Sequence, residues 1–210
     1  MTGCNLSAAQ PISVIGLILV IMLSSSNVAA GQNVRDAALF VAGGALGLAA
    51  HEGGHMLLNV AFDASPGLRK VSFGPLPFFA ITHEPVSPVR EFAISSGGFW
   101  VQHMSSEWIL STRPHLRRER APLMKGILAF NVLASVAYSG AAFTTTGPAE
   151  RDTRGIALSG RLAEPWVGAM ILAPAALDAA RYYRPDVLWL RWASRAAKIS
   201  GVLLIVRAAT

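Results

Sequence analysis

The sequence predicts an all-α polytopic membrane protein with five to six transmembrane helices and a short β-hairpin or looped segment. Of its 210 residues, 52% are hydrophobic and only 14% are charged, whereas globular domains average about 25% charged residues. Apolar runs recur along the chain, several of them near the length of about 20 residues that crosses the hydrocarbon core as a helix. Basic residues gather between these runs, where they anchor topology. We therefore expect one membrane-embedded domain over residues 1–210, as a multi-pass protein of the bacterial inner (plasma) membrane.

The first two apolar runs differ in character. Residues 12–23 are apolar and are followed by small residues, so the segment 1–30 is either a first span or a signal-like segment. Residues 37–61 form the second run, whose only ionisable side chains are two histidines and a glutamate. Ionisable groups inside a span are costly, and they usually mark a functional site.

A change of pattern follows the second run. Residues 68–82 mix β-branched and aromatic residues with Gly and Pro, which predicts a short hairpin or looped strand pair. Three more spans are predicted over residues 92–110, 123–143 and 166–180. The final segment, 185–210, carries tryptophans and basic residues at helical spacing, which is typical of an interfacial helix or a final helix.

Composition also excludes some classes of function. The net charge is +6, but the basic residues do not form a stripe interleaved with aromatic residues, so we expect no nucleic-acid partner. Cys4 is the only cysteine, which excludes an internal disulfide and a zinc site built on thiolates. The expected partners are the lipid bilayer and a membrane protein that serves as substrate.

The strongest chemical signal is the HEGGH sequence from His51 to His55. Residues four apart on a helix lie one turn above each other, so His51 and His55 can offer their imidazoles to one metal ion. Glu52 then lies beside that metal as a candidate general base for a bound water. We predict Zn²⁺ as the cofactor.

Two imidazoles alone do not complete a zinc site, because zinc needs at least a third ligand. After the motif, the predicted spans contain three side chains able to serve: His103, Glu107 and Asp178. His103 lies nearer mid-span, but it could instead hydrogen-bond across helices. Glu107 could pair with a nearby arginine, and Asp178 with Arg181.

An HExxH helix in a small multi-span chain, followed by a looped β segment, resembles the site-2 protease family of intramembrane zinc metalloproteases. The resemblance extends over residues 37–180, the predicted peptidase core. It implies that His51 and His55 bind zinc and that Glu52 activates the hydrolytic water.

The family's third ligand is an aspartate in a later Asn-x-x-Pro…Leu-Asp-Gly pattern, and two stretches correspond to it in part. Residues 130–140 match its Phe, Asn, Leu and Gly, with Ala134 in place of the proline and Ser139 in place of the aspartate. Residues 174–179 reproduce the proline followed by Leu-Asp at Asp178. The resemblance therefore favours Asp178 as third ligand. Asn131, in the first stretch, either orients substrate backbone or joins helices, and with His103 it is a candidate substrate-binding residue.

The predicted function is an intramembrane zinc metallopeptidase, a zinc-dependent metalloendopeptidase that hydrolyses peptide bonds of membrane-embedded or membrane-proximal substrates. The alternative is a catalytically degenerate relative that binds membrane partners without cleaving them, since Ser139 occupies the expected aspartate position.

Overall fold

The computed structural model describes residues 32–73 and 76–209 and is mostly helical, with one two-stranded sheet. The predicted first span or signal-like segment, residues 1–30, lies outside the described residues. The helices are α1 (Gln32–Ala61), α2 (Pro88–Thr112), α3 (Pro122–Thr144), α4 (Asp152–Gly160), α5 (Glu164–Tyr183) and α6 (Leu188–Ala209). The strands are β1 (Gly67–Phe73) and β2 (Leu76–Thr82), and a 3₁₀ turn covers Leu116–Arg118.

The helical class predicted from the sequence is confirmed, and so is the strand pair after the HEGGH helix. Strands β1 and β2 are antiparallel, with Gly67 opposite Thr82 and Phe73 opposite Leu76. Helices α1, α2, α3 and α5 cover the predicted apolar runs, and α6 covers most of the final segment. The short helix α4 is new, because its residues read as a polar connection in the sequence.

Only part of the predicted set of spans meets a test of length and apolarity. Within the described residues, α3 alone is long and apolar enough to cross a membrane. Helices α4 and α5 meet that test together, although the chain bends by 118° between them. Helix α1 is longer, but the HEGGH residues and several glycines lower its hydropathy.

Proline and left-handed residues set several helix ends. A proline stands in the first turn of α2, α3 and α5, where its missing N–H costs no hydrogen bond. Helix α3 ends where Thr145 takes φ 52°, and α4 ends where Arg161 takes φ 52°. Both residues adopt the left-handed conformation that closes many helices.

The helices pack around α1 and α2. Helix α1 packs against α3 and α2, α3 also packs against α5, α4 lies on α2, and α6 lies on α5 and α2. Glycines allow the closest approaches. An added Cβ on Gly97 would lie 2.9 Å from the carbonyl oxygen of Gly54, so α1 and α2 meet backbone to backbone there. This contact fixes α2 directly opposite the HEGGH turn.

One apolar cluster lies beside that crossing. It joins side chains of α2, α4 and α5: Phe92, Phe99, Ile156, Ala157, Val167 and Ile171. The cluster holds the short helix α4 against α2, and thereby positions the first residue of α4 near the α1–α2 crossing.

Candidate metal centre

The two histidines of the HEGGH turn point their ring nitrogens at each other. His51 is 1% exposed and His55 is 5% exposed. Their Nε2 atoms lie 3.1 Å apart, and their ring planes are inclined at 74°. The one-turn spacing of the motif therefore brings both imidazoles to a single point, as the sequence predicted.

A carboxylate from a distant part of the chain completes the group. Asp152 is the first residue of α4, and its Oδ2 lies 3.4 Å from Nε2 of His51 and 3.4 Å from Nε2 of His55. The three residues form a buried cluster that could hold a metal ion. The Asp152 side chain is 20% exposed, so the cluster borders the protein surface on that side.

The ligand atoms form a nearly equilateral triangle. Its edges are 3.1, 3.4 and 3.4 Å. Two ligands held about 2.0–2.1 Å from a tetrahedral zinc lie about 3.3–3.4 Å apart. Two imidazole nitrogens and one carboxylate oxygen are also a donor set that zinc takes in catalytic sites. The residues therefore fit a zinc ion with three protein ligands and an open fourth position.

The ring of His55 is oriented by the backbone of α2. Its Nδ1 lies 2.7 Å from the carbonyl oxygen of Ile94. A carbonyl only accepts hydrogen bonds, so Nδ1 carries the proton and a neutral ring presents a lone pair at Nε2. That is the tautomer that a metal ligand needs.

The ring of His51 lies between two aromatic side chains. Tyr138 stacks on it at 5.6 Å between centroids, and Phe99 meets it edge-on at 5.3 Å. Phe99 and Tyr138 also contact each other, with 5.0 Å between their ring centroids. These contacts restrict rotation of the His51 ring, and its Nδ1 makes no hydrogen bond to the described residues.

Gly98 of α2 makes room for the two imidazoles. An added Cβ there would lie 2.5 Å from Cε1 of His51 and 2.5 Å from Nε2 of His55. Those distances are well inside the 3.4–4 Å of ordinary van der Waals contact. Only glycine fits at this position while the two rings keep their places.

Glu52 is half-buried on the turn between the two histidines. Among the described residues, no hydrogen bond or salt bridge engages its carboxylate. Within the described residues, the Glu52 carboxylate is therefore free of structural contacts, as a candidate general base requires.

Among the described residues, the group that could hold a metal ion contains Asp152 and not Asp178. Asp178 is 1% exposed, and its Oδ1 accepts hydrogen bonds from Ser194 at 2.6 Å and from Lys198 at 2.7 Å. Arg181 lies 3.5 Å from the same oxygen. The predicted alternative of a salt bridge to Arg181 is thus what the structure contains. The negative charge of the Asp178 carboxylate is thus balanced by two buried cations, Lys198 and Arg181, whereas the Asp152 carboxylate faces the imidazoles.

The other candidates lie outside the triangle. His103 is buried and lines a cavity between α2, α4, α5 and α6, together with Lys198. Glu107 binds Arg181, Arg195 and Lys198, so it belongs to the same ion-pair network as Asp178.

Asn131 and Ser139 both serve helix packing. The Asn131 amide donates to the carbonyl oxygen of Gln102 and to the hydroxyls of Ser105 and Ser106, which joins α3 to α2. Ser139 donates to the carbonyl oxygen of Gly168 at 2.8 Å, which joins α3 to α5. The serine at the expected aspartate position is therefore not part of the group that could hold a metal ion.

Sequence reasoning missed Asp152 for a specific reason. The predicted third ligands all lie in apolar spans, whereas Asp152 lies in a polar stretch, 101 residues after His51. Gly155 offered a weak signal, because α4 must approach α2 closely there: an added Cβ would strike the Ser95 hydroxyl. No local sequence pattern predicts that this stretch packs beside the HEGGH turn.

The chain matches no protein-family model, no curated protein and no solved structure. The interpretation of the site therefore depends on its geometry and on the chemistry of its residues.

Proposed function

We propose that this protein is an intramembrane zinc metallopeptidase similar to the site-2 proteases, with His51, His55 and Asp152 as the metal ligands. The observation that carries the proposal is the triangle of their ligand atoms, whose edges of 3.1–3.4 Å suit a tetrahedral zinc. Asp152 takes the place that the sequence had assigned to Asp178. Because a carboxylate is present, the serine at position 139 is no argument for a degenerate site.

The distribution of polar and apolar side chains supports a location in the bilayer. The buried polar side chains include His51, Asn59, Gln102, Asn131, Asp178, Arg181 and Lys198. The exposed apolar side chains include Val41, Leu46, Leu57, Trp108, Val136 and Trp192. Polar groups inside and large apolar groups outside are the arrangement expected where lipid surrounds a helical bundle. We infer that α1, α2, α3 and α5 cross the membrane together and that α6 crosses it or lies at its interface.

The proposed chemistry is the hydrolysis of a peptide bond. When bound, zinc supplies a Lewis acid that activates water and polarises the scissile carbonyl. Glu52 takes a proton from the attacking water and passes it to the leaving amine. His51, His55 and Asp152 hold the metal, and the Ile94 carbonyl keeps His55 in the required tautomer.

The strand pair suggests how a substrate is held. A two-stranded sheet has an open edge on each side, and an extended segment adds to such an edge through backbone hydrogen bonds. The sheet directly follows the HEGGH helix in the chain and β2 contacts that helix. We expect a membrane-protein substrate to unwind locally and pair with β1 or β2, so helix-breaking residues should favour cleavage.

The decisive experiment compares the wild-type protein with Glu52→Gln, using purified protein for metal analysis and a membrane-anchored reporter for cleavage. The expected result is one zinc per chain in both proteins, and processing only by the wild type. Metal-loaded wild-type protein that leaves every such reporter intact would favour a non-catalytic membrane-binding relative. Equal processing by Glu52→Gln would rule out the role of Glu52 as general base.

A further inference from the structure

Two buried polar groups near the candidate metal centre lack partners. His51 Nδ1 and both amide atoms of Gln102 are buried, and in the described part of the chain they make no hydrogen bond. Gln102 and His51 are each 1% exposed. A buried polar atom without a partner destabilises the folded protein, so each of these groups calls for an explanation.

Helix geometry places Gln102 on the face of α2 that packs against the His51 ring. Gln102 follows Gly98 by four residues, so it lies one turn farther along the face that contacts the imidazoles. Long side chains on a helix extend over the preceding turn, which for Gln102 is the turn of Gly98. Gly98 has no side chain, and His51 Nδ1 lies only 2.6 Å from the position where its Cβ would stand.

The backbone at Gln102 is held in place independently of its side chain. Asn131 of α3 donates to the Gln102 carbonyl oxygen at 3.1 Å, and to the hydroxyls of Ser105 and Ser106 on the next turn. The Gln102 side chain therefore extends from a fixed segment of α2, while its own amide donor and acceptor make no hydrogen bond to the described residues.

The two histidines differ in whether their Nδ1 atom has a hydrogen-bond acceptor among the described residues. A neutral imidazole that ligates through Nε2 carries its proton on Nδ1, and that N–H needs an acceptor. The Ile94 carbonyl serves His55 in this way at 2.7 Å. Tyr138 and Phe99 contact His51 through ring faces and edges only.

We propose that Gln102 is the positioning residue for His51, and that its Oε1 accepts a hydrogen bond from His51 Nδ1–H when Nε2 ligates the metal. This role of Gln102 depends on the proposed metal site. The hydrogen bond from His51 Nδ1–H to Gln102 Oε1 would orient a ligand of that site, and the HEGGH motif does not specify it. Gln102 does not touch the metal, and its effect passes through the His51 ring.

The test uses two substitutions at one position. Gln102→Leu keeps a side chain of similar size and removes the acceptor. We expect it to weaken zinc binding by about 10- to 100-fold, the range typical when a residue that hydrogen-bonds to a metal ligand is lost. Gln102→Glu keeps an acceptor at the same reach and should restore affinity to near the wild-type value. Zinc affinity is measured on the purified full chain by competition with a chromophoric chelator.

Asn59→Leu is the matched control, because Asn59 is also a fully buried amide with an unpartnered oxygen. Its amide donates to the His55 backbone carbonyl at 3.0 Å rather than facing a ring nitrogen. We expect this variant to lose stability while its zinc affinity stays within about twofold. A second readout is the His51 Nδ1–H resonance of the zinc-loaded protein, which should be protected from exchange in the wild type and lost in Gln102→Leu.

The outcomes separate the two proposals. Wild-type protein without stoichiometric zinc removes the metal site and this inference together. Zinc-binding wild type with unchanged affinity and an unchanged His51 resonance in Gln102→Leu overturns the inference alone. Equal losses in Gln102→Leu and Asn59→Leu, without recovery in Gln102→Glu, also overturn it, because they indicate a general packing effect.

Discussion

Replacing Gly98 by alanine should strongly weaken zinc binding, although none of the three proposed ligand residues is substituted. The added Cβ would lie 2.5 Å from His51 Cε1 and from His55 Nε2. Ordinary contact begins at 3.4 Å, so the rings or the helix must shift by about 1 Å. Metal–ligand distances tolerate only about ±0.2 Å. A shift of that size takes at least one nitrogen out of reach of the ion.

The expected magnitudes follow from this displacement. Loss of a residue that hydrogen-bonds to a metal ligand weakens metal binding by up to about 100-fold. Because Gly98→Ala displaces a ligand itself, zinc affinity should fall by at least that factor. Overpacking between α1 and α2 should also cost about 1–3 kcal/mol of unfolding free energy. Zinc per chain and chelator competition measure the first effect, and thermal unfolding in detergent measures the second.

Gly44→Ala is the control on the same helix as His51. An added Cβ at Gly44 meets nothing within 4 Å, so the variant should keep its zinc and gain up to about 1 kcal/mol from helix propensity. Full zinc affinity in Gly98→Ala would contradict the close approach of α2 to the two rings. The triangle of ligand atoms would then lose its structural support.

Two further predictions distinguish the candidate third ligands. Asp152→Asn should reduce the zinc content to well below one ion per chain. Asp178→Asn should keep its zinc but lose about 3 kcal/mol of unfolding free energy, because a buried ion pair is broken. The reverse pattern of zinc contents would support the ligand set predicted from the sequence. Ser139→Ala should cost about 1 kcal/mol through its lost hydrogen bond to Gly168 and leave zinc affinity unchanged. A loss of zinc in that variant would place position 139 at the metal after all.

Several elements of the fold were predictable because their signals are local. The apolar runs 92–110, 123–143 and 166–180 predicted α2, α3 and α5, and the mixed Gly, Pro and aromatic stretch predicted the strand pair. The spacing of His51 and His55 predicted that their rings converge, since four residues make one turn of helix. Whether α1, α2 and α5 cross the membrane stays a prediction, because only α3 meets the test of length and apolarity by itself among the described residues.

The third ligand was not predictable from local pattern. Asp152 lies at the start of a helix and Asp178 near the end of one. The resemblance to the site-2 proteases favoured Asp178, because residues 174–179 reproduce the proline followed by Leu-Asp. The ion pair of Asp178 with Arg181 lies within one helix turn and was predicted from the sequence. The ion pair of Asp178 with Lys198 depends on how α6 packs against α5, and no periodicity relates those two residues.

The sequence by itself determined the chemistry that is available: a pair of imidazoles one turn apart, a carboxylate between them, and an apolar chain around them. Tertiary structure alone decided which distant acid faces those imidazoles, because the polar stretch after α3 folds into a short helix whose Gly155 packs on α2. It also decided that Gly98 leaves room for both rings. A helix turn relates residues four apart, whereas a ligand 101 residues away is positioned only by packing.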